Sequence, residues 1–319
     1  MSLKRVHVAV LALFGIVLAV CWQHADQIRP YAVSVWEAAR QTANPLSGPQ
    51  IKGQAGLVIN AGTGETLYAK HENERMYPAS TTKILTALIA LEQAKPDEPV
   101  VVGDEVNLRE PDEASAGLRA GQRLTMRDLL AAMLLPSGND AARTIAVFVG
   151  RKACGSKQTS AQALDCFAGL MNSKAAKLGA KHSHFVNPNG LHDPQHYSTA
   201  RDLAIIARKA MEMDEFRQIV AVNEYKATVG ASGKTVMTAA GGGGQTFRYA
   251  NRNLLLQADS GFYMQGVNGI KTGFTDQAGY CLVASARQGR EEIISVVLHS
   301  TQTEVWTDSK SLLEYGLGF

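Results

Sequence analysis

The 319-residue chain alternates between short strand-like apolar runs and longer runs at helical spacing. Gly56-Leu57-Val58-Ile59-Asn60 and Glu65-Thr66-Leu67-Tyr68-Ala69 flank the turn Ala61-Gly62-Thr63-Gly64, which predicts a hairpin. After Pro78, Ile84, Leu85, Leu88, Ile89 and Leu91 recur at helical spacing until Pro96 forbids continuation. Further helices are predicted over Leu129 to Leu135, Asp140 to Val149, Ala161 to Leu178, Thr199 to Met211 and Thr303 to Tyr315. Val267 to Ile270 and Tyr280 to Ala284 are strand-like, and strands 281–286 and 292–298 form a second hairpin around Gln288-Gly289-Arg290. Gly241 to Gly244 is predicted as a loop tip between strands. Early and late strands around a helical middle predict an α/β sandwich, its mostly antiparallel sheet drawn from both ends of the chain.

Composition narrows the function. An apolar content of 45% with 19% charge is that of a globular protein, long enough to bury one substantial core. A formal charge of +3 is too small to argue for nucleic acid. The chain has no Gly-rich phosphate loop, Cys-x-x-Cys pair or His-Glu-x-x-His helix, so no nucleotide, metal or other cofactor is expected. His182, His184, His192 and His196 crowd one region, but their spacing fits no recognised ligand pattern.

Three short motifs occur once each, in order: Ser80-Thr81-Thr82-Lys83, Ser137-Gly138-Asn139 and Lys271-Thr272-Gly273. The first opens a predicted helix, where three residues of separation bring side chains to about 5 to 6 Å between Cβ atoms. Lys83 can therefore reach the Ser80 hydroxyl, which is a poor nucleophile until a base takes its proton. A lysine serves as that base only when neutral, and burial beside a second cation, for which Lys271 is the candidate, favours the neutral form. Ser137 and Asn139 follow Pro136 on a predicted loop between helices, well placed to present a hydroxyl and an amide. Gly273 would let a substrate backbone approach the strand closely, as an added strand does.

With the stretches around them, these motifs make the chain resemble the serine D-alanyl-D-alanine carboxypeptidases, the low-molecular-mass penicillin-binding proteins of the penicillin-binding protein 5 type (peptidase family S11). Phe185-Val186-Asn187-Pro188-Asn189-Gly190-Leu191, Tyr197-Ser198-Thr199-Ala200-Arg201-Asp202, Asn251-Arg252-Asn253 and Gly269 to Thr275 carry the resemblance beyond the three motifs, from about residue 51 onward. It implies a β-lactamase/transpeptidase-like fold with an α-helical cluster. It implies Ser80 as acyl-accepting nucleophile, Lys83 as base, and Ser137 and Asn139 as a proton relay and substrate-amide holder. Lys271 and Thr272, followed by Gly273, are implied to take the substrate carboxylate, with Arg252 as a further candidate. Backbone N–H groups of Ser80 and Phe274 are implied as the oxyanion hole. The partners implied are peptidoglycan stem peptides, with β-lactams as acylating inhibitors. Many relatives carry histidine where Phe274 stands, and some carry an arginine before the last helix, where Ser300 to Trp306 has no basic residue. The same residues also suit a DD-endopeptidase. A class A β-lactamase is disfavoured, because no Glu-x-x-Leu-Asn stretch follows Ser137.

Lys4 and Arg5 precede an apolar run from Val8 to Trp22, the pattern of an export signal or an N-terminal membrane anchor. Residues 1–28 are assigned to that segment, 29–50 to a tether and 51–319 to the catalytic domain. An uncleaved anchor, a cleaved signal and lipid modification at Cys21 all stay open, and each predicts an extracytoplasmic enzyme. Tyr31 to Arg40 is mildly amphipathic and reads equally as a surface helix or a spacer. Because the chain stops at Phe319, where penicillin-binding protein 5 continues, the N-terminus is expected to supply any membrane attachment. Export allows Cys154 and Cys166 to close a disulfide, while Cys281, inside a strand, is expected as a buried free thiol.

Overall fold

The computed structural model describes residues 48–229 and 245–318. Tyr31 to Arg40, the apolar run before it and the loop tip Gly241 to Gly244 lie outside the described residues. The strands in chain order are β1 (Ala55–Asn60), β2 (Thr66–Lys70), β3 (Pro99–Val101), β4 (Arg123–Thr125), β5 (Glu224–Val229), β6 (Gln245–Ala250), β7 (Val267–Thr275), β8 (Gly279–Gln288) and β9 (Glu291–Ser300). Five of them form one antiparallel sheet in the order β2-β1-β9-β8-β7, so the two ends of the chain do meet in one sheet. β3 with β4 and β5 with β6 make two small antiparallel ribbons.

Both faces of the sheet's centre are covered, which is why β1, β8 and β9 carry long apolar runs. Successive side chains point to opposite faces. Val58, Leu282, Ile293 and Val297 pack with Val305, Leu312 and Leu313 of the last helix. Leu57, Ile59, Val283, Ile294 and Val296 pack on the other side with the remaining helices. The helices are α1 (Lys83–Gln93), α2 (Met126–Leu134), α3 (Asn139–Cys154), α4 (Ser160–Leu178), α5 (Ala200–Met211), α6 (Asp214–Val220) and α7 (Glu304–Leu317). Threonines open three of them: Thr125, Thr159 and Thr199 each accept a hydrogen bond from a backbone N–H of the first turn.

Three local expectations are corrected. Ser80 lies in a tight 3-10 turn, Ala79–Thr82, and the α-helix begins only at Lys83. Lys271-Thr272-Gly273 does not sit between strands but inside β7, with Lys271 opposite Val283 and Gly273 opposite Cys281. Asn139 is the first residue of α3 rather than part of the preceding loop. Cys154 and Cys166 form a disulfide that ties the end of α3 to α4, and Cys281 is a buried free thiol. Among the described residues, no helix is long and apolar enough to cross a membrane.

Candidate active site

The turn carrying Ser80 packs against the edge strand β7 at Gly273. A β-carbon there would stand 3.1 Å from the Pro78 carbonyl oxygen and from the Ser80 and Thr81 nitrogens. Gly273 thus admits the protein's own serine turn; the sequence pointed instead to a substrate backbone. Lys83 follows one turn on, fully buried, and its Nζ lies 2.8 Å from Ser80 Oγ. The same Nζ donates to Asn139 Oδ1 and to the Asn189 carbonyl, each at 2.7 Å. Burial holds the Lys83 amine well below the ordinary lysine range, and Lys271 pushes it the same way.

That coordination suits a base. A neutral amine has two N–H donors and one lone pair. Asn139 Oδ1 and the Asn189 carbonyl can only accept, so they use the two donors and leave the lone pair for the Ser80 hydroxyl. Ser137 stands on the loop between α2 and α3, buried, with φ of 69°, a left-handed conformation unusual for a residue with a side chain.

β7 supplies the opposite wall. Lys271 is 1% exposed and donates to the Thr272 carbonyl at 2.9 Å, while Thr272 itself faces the cleft. Burial and the neighbouring Arg252 lower Lys271 to about 7. Ser80, Ser137, Asn139, Arg252, Thr272, Gly273 and Phe274 all line one cleft of about 960 Å³. Lys83 and Lys271 lie behind its surface. Phe274 is half exposed at the rim, its ring 4.4 Å from that of Tyr280. Arg252 supplies a cation to the cleft, whereas Ser300 to Trp306 supplies none.

Sequence reasoning marked the loop Phe185 to Leu191 as part of the resemblance but gave its residues no role in the site. Asn189 contributes its backbone carbonyl, so no side-chain signature marks the role. Its loop is fastened to α1 by Thr86 Oγ1, which donates to the Pro188 carbonyl at 2.6 Å. His196 fastens it from the other side, 2.9 Å from Thr82 Oγ1. Two other histidines of the crowded region have protein partners as well: His184 Nδ1 lies 2.7 Å from the Gln195 carbonyl oxygen, and the His192 ring packs edge-on against Tyr77. Behind Asn139, Glu113 and Arg143 form a buried ion pair.

The family model for peptidase S11, D-alanyl-D-alanine carboxypeptidase, matches residues 40–302. The D-alanyl-D-alanine carboxypeptidase of Streptomyces sp. strain K15 is 35% identical over 281 residues, covering 86% of this chain and 90% of that protein. DacB2 of Mycobacterium tuberculosis is 31% identical, covering 88% and 87%. DacF of Bacillus subtilis is 33% identical over 81% of this chain, which spans only 60% of that longer protein. The crystal structure of the Streptomyces K15 DD-transpeptidase superposes with a TM-score of 0.75 at 34% identity, covering 86% of this chain and all of that one.

Proposed function

Since the chain belongs to the peptidase S11 family of D-alanyl-D-alanine carboxypeptidases, we propose that it removes the terminal D-alanine of peptidoglycan stem peptides through an acyl-enzyme on Ser80. Neutral Lys83 takes the Ser80 proton as Oγ attacks the carbonyl carbon of the penultimate D-alanine. The tetrahedral oxyanion is held by the backbone N–H groups of Ser80 and Phe274, a type of donor worth about 3 to 4 kcal/mol each. Collapse expels the terminal D-alanine, whose amine receives the proton by way of Lys83 and Ser137. Asn139 holds the substrate amide. Thr272, backed by Lys271 and joined by Arg252, takes the terminal carboxylate. Water then attacks the ester, its proton passing to Lys83, and Ser80 is restored.

The observation that carries this reading is the Lys83 amine, buried and bonded to two carbonyl oxygens with its third direction on Ser80 Oγ. A β-lactam would acylate the same oxygen. Labelling of wild type and Ser80→Ala with a fluorescent penicillin, alongside D-alanine release from a pentapeptide, tests it. Stable label and D-alanine release, both lost in Ser80→Ala, are expected. Rapid turnover of the drug would point to a β-lactamase, and a folded protein without label would sink the reading. Cross-linked muropeptides offered in the same assay separate carboxypeptidase from endopeptidase action.

The proposal includes an extracytoplasmic place for the enzyme, with residues 1–28 as export signal or anchor, 29–50 as tether and 51–319 as catalytic domain. The basic start and apolar run of the N-terminus support it.

A further inference from the structure

Asn139 has two chemically different ends, and they must not be exchanged. Its Oδ1 accepts from Lys83 at 2.7 Å, and its Nδ2 faces Glu113 Oε2 at 3.3 Å. Glu113 is 8% exposed and is gripped by both terminal nitrogens of Arg143, with the second of these bonds, to Oε2, at 2.9 Å. Arg143 lies one helical turn beyond Asn139 on the same face of α3. Its Nε also donates to the Glu105 carbonyl at 3.2 Å. The segment bearing Glu113 is strapped to the start of α3. Asn139 N–H donates to the Ala114 carbonyl at 2.8 Å, and the Asp140 carboxylate accepts from Ser115 Oγ, Ala116 N–H and Leu118 N–H.

From this geometry we infer that the buried Glu113–Arg143 pair is a positioning device, which fixes the Asn139 amide so that its oxygen stays on Lys83. This rests on the proposed role of Lys83 as base. In the flipped amide, Nδ2 would meet the N–H donors of Lys83 and Oδ1 would meet the Glu113 carboxylate, two repulsive contacts in place of two hydrogen bonds. Lys83 would then lose one of the two acceptors that keep its lone pair on Ser80. A carboxylate is the suitable group because it can only accept, and Arg143 pairs with it in a buried place. The pair also adds little net charge beside Lys83, since Glu113 and Arg143 act on that amine in opposite directions. The other charges acting on Lys83 are Lys271 and Arg252, and His196 is coupled to it from the loop side.

Two double variants of the full-length chain separate amide orientation from packing. Glu113→Leu with Arg143→Met removes both charges and the acceptor. Glu113→Gln with Arg143→Met removes the charges and keeps an amide oxygen for Asn139 Nδ2. Acylation by a fluorescent penicillin is expected to slow by about 100-fold in the first, the scale of a misplaced reacting group, and by clearly less in the second, whose glutamine can still offer an oxygen to Asn139 Nδ2 but can also turn its own amide. Glu113→Asp, which keeps the charge but withdraws the acceptor by one methylene, should also slow acylation and decides the matter if the leucine variant does not fold. Wild-type rates in a folded leucine variant, or equal losses in both double variants, would overturn the inference. Failure of wild type to be labelled at Ser80 would instead remove the functional reading beneath it.

Discussion

Gly190 passes so close to Ala79 that a β-carbon on it would stand 1.8 Å from the Ala79 carbonyl oxygen and 2.9 Å from Thr82 Oγ1. Its φ of 82° adds backbone strain for any other residue. This contact lets the Asn189 carbonyl reach Lys83 across the serine turn. Gly190→Ala should therefore cost more than ~2 kcal/mol of stability and strongly reduce acylation of Ser80. Gly289→Ala is the control: its φ is also positive, at 59°, but no atom lies within 4 Å of the added carbon. It should cost about 1 kcal/mol and leave acylation alone. Equal unfolding temperatures and labelling rates for the two variants would show that the close approach is unimportant.

Phe274 contributes two separable things. Its backbone N–H is the proposed oxyanion donor, and its half-exposed ring leans on Tyr280 at the cleft rim. Phe274→Ala keeps the N–H, so acylation by penicillin should persist while the ranking of β-lactams with apolar side chains changes. Thr272→Val, which removes a hydroxyl facing the cleft, should weaken both substrate and drug. Loss of labelling in Phe274→Ala as complete as in Ser80→Ala would mean that the ring itself is required.

The disulfide lies at the far end of α3 from Asn139, so stability and chemistry can be tested apart. Cys154 and Cys166 are 12 residues apart in sequence, and closing so short a loop is worth about 3 kcal/mol. Replacing both with serine should lower the unfolding temperature and leave the acylation rate at room temperature unchanged. A slower acylation rate in the folded variant would reveal coupling along α3.

The sequence displayed the side chains of the site but not the frame that holds them. Ser80, Lys83, Asn139 and Thr272 fall in motifs whose spacing has a direct geometric meaning, and the helices between prolines were legible from apolar period. The place of Lys271-Thr272-Gly273 within β7 was not, because a polar and glycine-containing stretch looks like a turn when its strand partners are unknown. Asn189 acts through a carbonyl that every residue possesses. Glu113 and Arg143 are 30 residues apart, and only the packing of one segment on another brings them together. His196 looked like one member of a histidine cluster, and its actual partner, Thr82, is 114 residues away.

That pairing makes His196 the group through which mild acid should loosen the site. Its Nδ1 accepts from the Val186 N–H at 3.2 Å, so Nε2 carries the proton and donates to Thr82 Oγ1. Burial lowers the ring from an ordinary 6.5 to about 4. Between those values the unfolded chain binds a proton that the folded protein does not, so stability rises with pH across the window and is lost on acidification. The loss totals roughly 3 kcal/mol by pH 4. Lys271 has the same sign at higher pH. Folded at about 7 against an ordinary 10.5, it makes stability rise again from pH 7, and Lys83 adds to that rise. Cys281 opposes them above its ordinary value of 9, because burial raises its thiol to about 12 and only the unfolded chain then ionises. Unfolding temperature should accordingly climb from pH 4 to 6.5 and again from 7 to 9. His196→Gln should flatten the first climb, and Lys271→Met should reduce the second to the part that Lys83 supplies. A wild-type slope retained between pH 4 and 6.5 in His196→Gln would show that the ring is not the group that titrates there.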